Sequence, residues 1–294
     1  MGTPHYTLLP SHIATGPHVS PFAKAPDADC RTEDVHVPCK APGASAAPFA
    51  VQPTKEHAEA SMGAGPRKHT TYPYVTGNSV LAFKYAGGVL MACDMLGAYG
   101  STKRYKSVTR IVKVNDSTIV GASGEISDFQ YIKTLLDDLT TQDFCYDDGH
   151  SLTPREVHGY LCRVLYNRRN KMDPLWNSLV VAGIEPSSKE RFVGCVGMIG
   201  TSYEDSHVAT SFGNYLSRPL FREFQRDDMS LEDAIKLMQD ALRVLFYRDK
   251  TSINKFILSK VDATGVSLSE PFALDTTWDL EAFANPSKHA VGSW

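Results

Sequence analysis

The chain has 294 residues, 42% of them apolar, and a formal charge of -3 from 33 acidic and 30 basic side chains. That apolar share supports a buried core and excludes a chain disordered throughout, and near-balanced charges give no field that would gather nucleic acid or anionic lipid. No apolar run reaches the about 18 residues of a membrane-spanning helix, and the N-terminus lacks a basic region followed by an apolar one, so a soluble, non-secreted protein is expected.

Composition breaks near residue 70. Eleven of the 17 prolines and six of the 10 histidines fall within residues 1–73, among Ala, Ser and Gly and without helical or strand periodicity. Such a segment buries too little apolar surface to offset its ordering entropy, so residues 1–69 read as a mobile arm or a removable propeptide. Its histidines are too irregularly spaced for a metal site. The cysteines, Cys30, Cys39, Cys93, Cys145, Cys162 and Cys195, show no Cys-x-x-Cys spacing, and four lie in apolar segments. They read as reduced thiols, not as disulfides or zinc ligands.

From residue 75 the pattern is one of strands. Val80, Ala82 and the run Val89 to Ala92 flank the turn Ala86 to Gly88, whose glycines can supply positive φ. A second hairpin pairs "RIVKV" with "STIVGA" across Asn115 and Asp116, which tolerate left-handed backbone. Two helices follow. Phe129, Ile132, Leu136 and Leu139 share one face of the first. The second opens on "TPRE" at Thr153 to Glu156, an N-cap threonine, a proline at the first helical position and a capping-box glutamate. Val157, Leu161, Val164 and Leu165 continue it, and Arg163, Arg168 and Arg169 suit its C-terminal dipole.

The second half repeats this order. "NSLVVAGI" (177–184) and "RFVGCVGMIG" (191–200) read as paired strands, followed by a short helix around Tyr215 to Phe224. A longer helix starts at Ser230, with a core-facing stripe of Leu231, Ile235, Met238, Leu242 and Leu245. "KFILSKV" and "GVSLSE" close the domain as a hairpin. Strands and helices come in blocks and do not alternate as βαβ units would, so the expected class is α+β, a layered sandwich of antiparallel sheets with helices outside.

These residues carry a specific resemblance. "TGNSVLAFKYAGGVLMACDMLGAYGS" and "GASGEISDFQYI" resemble the first two hairpins of proteasome beta subunits, and "YNRRNKMDPLWNSLVVAG", "VLFYRD" and "TTWD" narrow the likeness to the seventh position of the eukaryotic beta ring. The resemblance spans residues 70 to 284 and leaves 285–294 as an extended tail. It implies the fold of N-terminal nucleophile hydrolases, a four-layer alpha-beta-beta-alpha sandwich of two antiparallel sheets between helical layers, in an assembly needing no cofactor or metal. It also implies a place in the proteasome core beside other beta subunits of the same ring, the opposed beta ring and the alpha ring, in cytoplasm and nucleus.

In catalytic relatives a threonine freed by cleavage after a glycine attacks the scissile carbonyl. Its own α-amino group, with a pKa near about 7.7–8.0, is the base. Matched residue by residue, the nucleophile position is Asn78 after Gly77, the site aspartate is Asp94, and the site lysine is Arg110. Asp249 and Ser252 match a supporting aspartate and serine, and a further supporting serine falls on Phe212 or Ser211. A carboxamide is no hydroxyl nucleophile, and an always-charged guanidinium cannot replace a tuned lysine, so the site reads as a catalytically silent relic. Ser79, one residue along the expected strand, is placed on the opposite face, and Thr76, two residues back, lies more than about 6 Å away. An active hydrolase using Thr70 or Thr76 after unusual processing is the competing expectation.

The resemblance puts a processing point near His69 and Thr70, with residues 70–77 then covering the relic cleft. For interfaces, "YNRRNKMDPLW" offers Arg168, Arg169, Met172 and Trp176 as a candidate anchor, against the alternative of a buried tryptophan after a helix. The tail ends in Trp294, expected either to reach a partner subunit or to fray.

Overall fold

The computed structural model describes residues 72–288. His69, Thr70 and Trp294, with the expected arm at 1–69 and the end of the tail, lie outside the described residues.

Two antiparallel sheets form the centre. The larger, eight-stranded sheet runs in the order β10 (Ser202–Glu204), β9 (Arg191–Val196), β8 (Asn177–Ile184), β7 (Thr118–Glu125), β1 (Val75–Gly77), β4 (Gly97–Tyr99) and β5 (Thr102–Tyr105), with β6 (Ile111–Lys113) also paired to β7. The five-stranded sheet runs β11 (His207–Ala209), β2 (Val80–Tyr85), β3 (Gly88–Asp94), β12 (Phe256–Asp262) and β13 (Gly265–Leu268). The helices are α1 (Ile126–Tyr146), α2 (Pro154–Asn170), the short α3 (Gly213–Leu216) and α4 (Arg218–Phe224), α5 (Leu231–Arg248) and α6 (Glu281–Ala284).

Strand alternation sorts the apolar residues into three cores. Along β2 and β3, Val80, Ala82, Val89, Met91 and Cys93 face the other sheet, where they meet Ile111, Ile119, Val180, Ala182 and Val193. The intervening Leu81, Phe83, Leu90 and Ala92 face outward against Ile235, Met238, Ala241, Leu242 and Leu245 of α5 and Phe221 of α4. On the far side Val120, Leu179 and Val181 meet Phe129, Ile132 and Leu136 of α1 and Val157, Leu161 and Leu165 of α2. The result is the four-layer sandwich, α1 and α2, sheet, sheet, α4 and α5. Each fully buried large apolar side chain contributes about 1.5–3 kcal/mol, and strands buried on both faces account for the near-continuous apolar runs of β2 and β3.

The helix-start signals in the sequence are realised. At α2 the Thr153 side chain accepts the Glu156 N–H at 3.2 Å and the Glu156 carboxylate accepts the Thr153 N–H at 2.8 Å. At α5 the Ser230 hydroxyl accepts the Asp233 N–H at 3.2 Å.

The structure corrects several expectations. The strand expected over 191–200 ends at Val196, and the one short helix around 215–224 is two, broken at Ser217. Left-handed backbone at Asn115 and Asp116 is not used: the Asn115 side chain accepts the Ser117 N–H at 3.0 Å and closes the turn. The first strand is not continuous through residues 76–80. β1 ends in the larger sheet at Gly77 and β2 starts in the smaller one at Val80, so Asn78 and Ser79 form the crossing between sheets.

Thr153→Ala is expected to destabilise the folded chain by about 1 kcal/mol, with Thr153→Ser close to the parent, as read by urea unfolding of the two variants.

Candidate functional site

The crossing brings the matched positions together. Asn78, Ser79, Asp94, Asp249 and Ser252 line one small cavity, closed by Leu242 and Leu245 of α5 and by Phe256. About 10 Å3 is open in it, no more than one water fills. Arg110, bonded to three of the residues around it, is fully buried at 0% exposure.

Arg110 sits just before β6, where an unpaired charge would be costly, and its guanidinium bonds the crossing and one strand of each sheet. Its Nη1 donates to the Asn78 carbonyl at 2.9 Å and the Ala122 carbonyl at 3.0 Å. Its Nη2 donates to the Ser79 carbonyl at 3.3 Å and to the Asp94 carboxylate in a short ion pair. Its Nε donates to the Asp94 carbonyl at 3.2 Å. Gly77 is required by the close approach: a Cβ there would stand 2.3 Å from Arg110 Cδ, and this guanidinium is held too firmly to yield.

Asp94 ends β3 and is almost as buried as its partner. Burial raises its carboxyl above the usual carboxylate range, with the Arg110 charge opposing the shift. The Ile253 backbone N–H opposes the shift as well, and Asp94 is among the residues that line the small cavity. Burial likewise pushes the neighbouring Cys93 thiol up to about 11, so it is an inert core residue.

The Asn78 side chain is committed elsewhere. Its Nδ2 donates to the Thr251 hydroxyl at 2.6 Å and, in a shorter contact, to the Thr251 carbonyl. The Thr251 hydroxyl in turn donates to Asp249 Oδ1 at 2.9 Å, which also accepts the Thr251 N–H at 2.9 Å. The matched aspartate thus holds the crossing through a threonine that the sequence reading did not single out. The Asp-x-Thr spacing in "RDKTS" is a local turn signal that points to it.

The hydroxyls that compete for a catalytic part are also placed. Ser79 borders the same cavity, and its Oγ is turned to Gly213, whose N–H it accepts at 2.9 Å, while the Asn78 side chain turns to Thr251. Thr76 lies inside the larger sheet, opposite Ala98 on one side and Glu125 on the other. Of the two loosely matched residues, Ser211 has left-handed backbone and Phe212 is 54% exposed, so neither supplies a buried supporting hydroxyl at the cavity.

Residues 74–77 are tied down. β1 fills the slot between β4 and β7, and Glu125 at the start of α1 accepts the N–H groups of Tyr74 at 2.5 Å and Val75 at 3.2 Å. Val75 also lines a cleft of about 710 Å3 together with Val108, Val112, Ile126 and Gln130. Glu125 is the second residue the sequence reading missed; an acid just ahead of a helical period is its signal.

The candidate interface residues lie apart from this site. Arg168 folds back on Asp173, with an ion pair at 3.0 Å and a hydrogen bond to its carbonyl at 2.9 Å. Arg169 reaches the Met172 sulfur, and Met172 is 71% exposed. Trp176 is half-buried, its backbone N–H held by Asp128 at 2.8 Å and its indole N–H buried without a partner.

The chain is similar to known proteins over most of its length. A family model described as proteasome subunit matches residues 74–261. A proteasome subunit beta type-4 of Arabidopsis thaliana is 52% identical over 227 residues, 77% of this chain and 92% of that one. Proteins of the same name from Xenopus laevis and Dictyostelium discoideum are 44% and 47% identical over 220 and 214 residues, covering 74% and 72% of this chain and 90% and 82% of theirs.

Arg110→Met should destabilise the chain by about 3–5 kcal/mol, because Asp94 is left buried and unpaired; adding Asp94→Leu should restore part of that in denaturant unfolding. Glu125→Ala should abolish slow amide exchange at Tyr74 and Val75 while β2 and β3 stay protected, since hydrogen bonds to a charged acceptor are worth about 1.5–3 kcal/mol.

Proposed function

This chain belongs to the proteasome subunit family, and from that premise we propose that it is a non-catalytic beta subunit, at the seventh position of the beta ring, that walls the proteolytic chamber and positions catalytic neighbours. The observation that carries the reading is Asn78. At the position of the nucleophile stands a carboxamide whose nitrogen lone pair is delocalised and whose N–H groups are spent on Thr251.

Two further features support it. Proton transfer would fall to Arg110, which stays charged at any physiological pH and is held by the surrounding carbonyls and Asp94. An extended substrate would have to pair where β1 already lies, and the backbone nitrogen of Asn78 is in peptide linkage with Gly77 at the end of that strand. Thr76 is locked in the same strand, which speaks against the competing reading of an active hydrolase using Thr70 or Thr76.

Partners in this role are beta subunits of the same ring, the opposed beta ring and the alpha ring, in cytoplasm and nucleus. Processing between His69 and Thr70 removes the Pro-rich arm and keeps residues 70–77 as the leader that contains β1.

Assembled particles treated with a threonine-directed electrophilic inhibitor should carry label on catalytic subunits and none on this chain, by intact mass. Asn78→Thr should gain no label either, because Arg110 and the Gly77 linkage remain. Label on the parent chain would overturn the proposal. The same mass spectrum should place the N-terminus at Thr70.

A further inference from the structure

One surface feature is unused by the fold or by the relic site. From Met95 to Asn115 the chain carries no acidic residue, and neither does the stretch from Lys250 to Val261. The two stretches meet. Lys103 Nζ donates to the Ser252 carbonyl at 2.6 Å, Lys255 Nζ to the Ser107 hydroxyl at 2.8 Å, and Lys250 Nζ to the Ser101 hydroxyl at 3.5 Å. Arg104 lies over the Tyr105 ring at 5.6 Å. With Lys106, the residue after β5, these make five cations along β5 and the segment that meets it, and among the described residues none of the five has an ion-pair partner. The nearest carboxylate in sequence, Asp249, is buried and accepts from Thr251.

The face also has an open edge. β5 ends the larger sheet, all four of its residues are exposed, and its outer side has no strand partner among the described residues. Lysines on an edge strand by themselves deter wrong pairing. That does not account for Lys250 and Lys255, which come from the segment after α5 and are on no edge. On a chain of net charge -3, concentrating five unpaired cations here makes a local field that attracts an anionic partner and repels a basic one.

We propose that this face, β5 with Lys250 and Lys255, is a docking surface for an acidic segment of a neighbouring subunit, whose carboxylates pair with Lys103, Arg104, Lys106, Lys250 and Lys255. The inference rests on the assembly role proposed above and adds a surface and a partner chemistry to it. The open strand edge offers main-chain hydrogen bonds for affinity and the flanking cations select for acidic side chains.

The test uses assembled particles containing the full chain. Acetic anhydride should modify Lys103, Lys106, Lys250 and Lys255 far less in the particle than after its dissociation in denaturant. Zero-length carbodiimide coupling should join at least one of the four to an Asp or Glu of another subunit. Arg104→Glu with Lys106→Glu, two side chains that make no hydrogen bond holding the face together, should reduce incorporation of the chain into particles. Full acetylation of all four lysines in intact particles, together with unchanged incorporation of the double variant, would overturn the inference and leave the subunit assignment standing. Coupling only to degradation substrates would replace a subunit with an acidic substrate and overturn it too. If the chain is missing from the particles altogether, the assembly role falls and this surface with it.

Discussion

The Arg110 guanidinium is the constraint on which the rest of the molecule turns. It takes carbonyls from the crossing at Asn78 and Ser79, from Ala122 in the larger sheet, and both the carbonyl and carboxylate of Asp94 at the end of a strand of the smaller one. One planar, multiply donating cation thereby ties the two sheets and the segment that passes between them. A lysine, with a single ammonium, could not reach carbonyls on three separate segments at once. A residue that reads as a damaged catalytic group is, in the folded chain, a cross-brace.

The acidic residues around the crossing are likewise committed to holding it. Asp94, Asp249 and Ser252 still surround the crossing, but the charge of Asp94 is spent on Arg110 and that of Asp249 on Thr251. A buried ion pair is weak evidence for net stability, so the gain here is better described as fixing where the chain leaves one sheet for the other. The remaining space among these residues has room for about one water.

Much of this was legible in advance. Periodicity found β2, β3, β6, β7, β8 and the long helices α1, α2 and α5, because each buries a defined stripe, and α2 and α5 also carry start signals at Thr153 and Ser230. It missed β4, β5, β10 and β11, which are three or four residues long; β5 and β10 are wholly exposed, so no alternation marks them. Asn78, Asp94, Arg110, Asp249 and Ser252 do converge, a point carried by resemblance and not by local pattern. Thr251 and Glu125 escaped because their partners, Asn78 and Tyr74, are distant in sequence. The break between β1 and β2 at Asn78 and Ser79 escaped because alternation holds only within an unbroken strand, and the change of sheet is a tertiary event.

One consequence follows from where β1 sits. It is the earliest strand in the described chain, yet in the larger sheet it is interior, flanked by β4 and β7, both of which come later. During synthesis it emerges before either neighbour exists and has nothing to pair with, and sheet formation across such separations is slow because loop closure must be met first. The larger sheet therefore completes from both sides around its oldest segment. A chain shortened at Gly77 would close over a missing rung, so the opening residues set the order in which the sheet is built as well as what fills its middle.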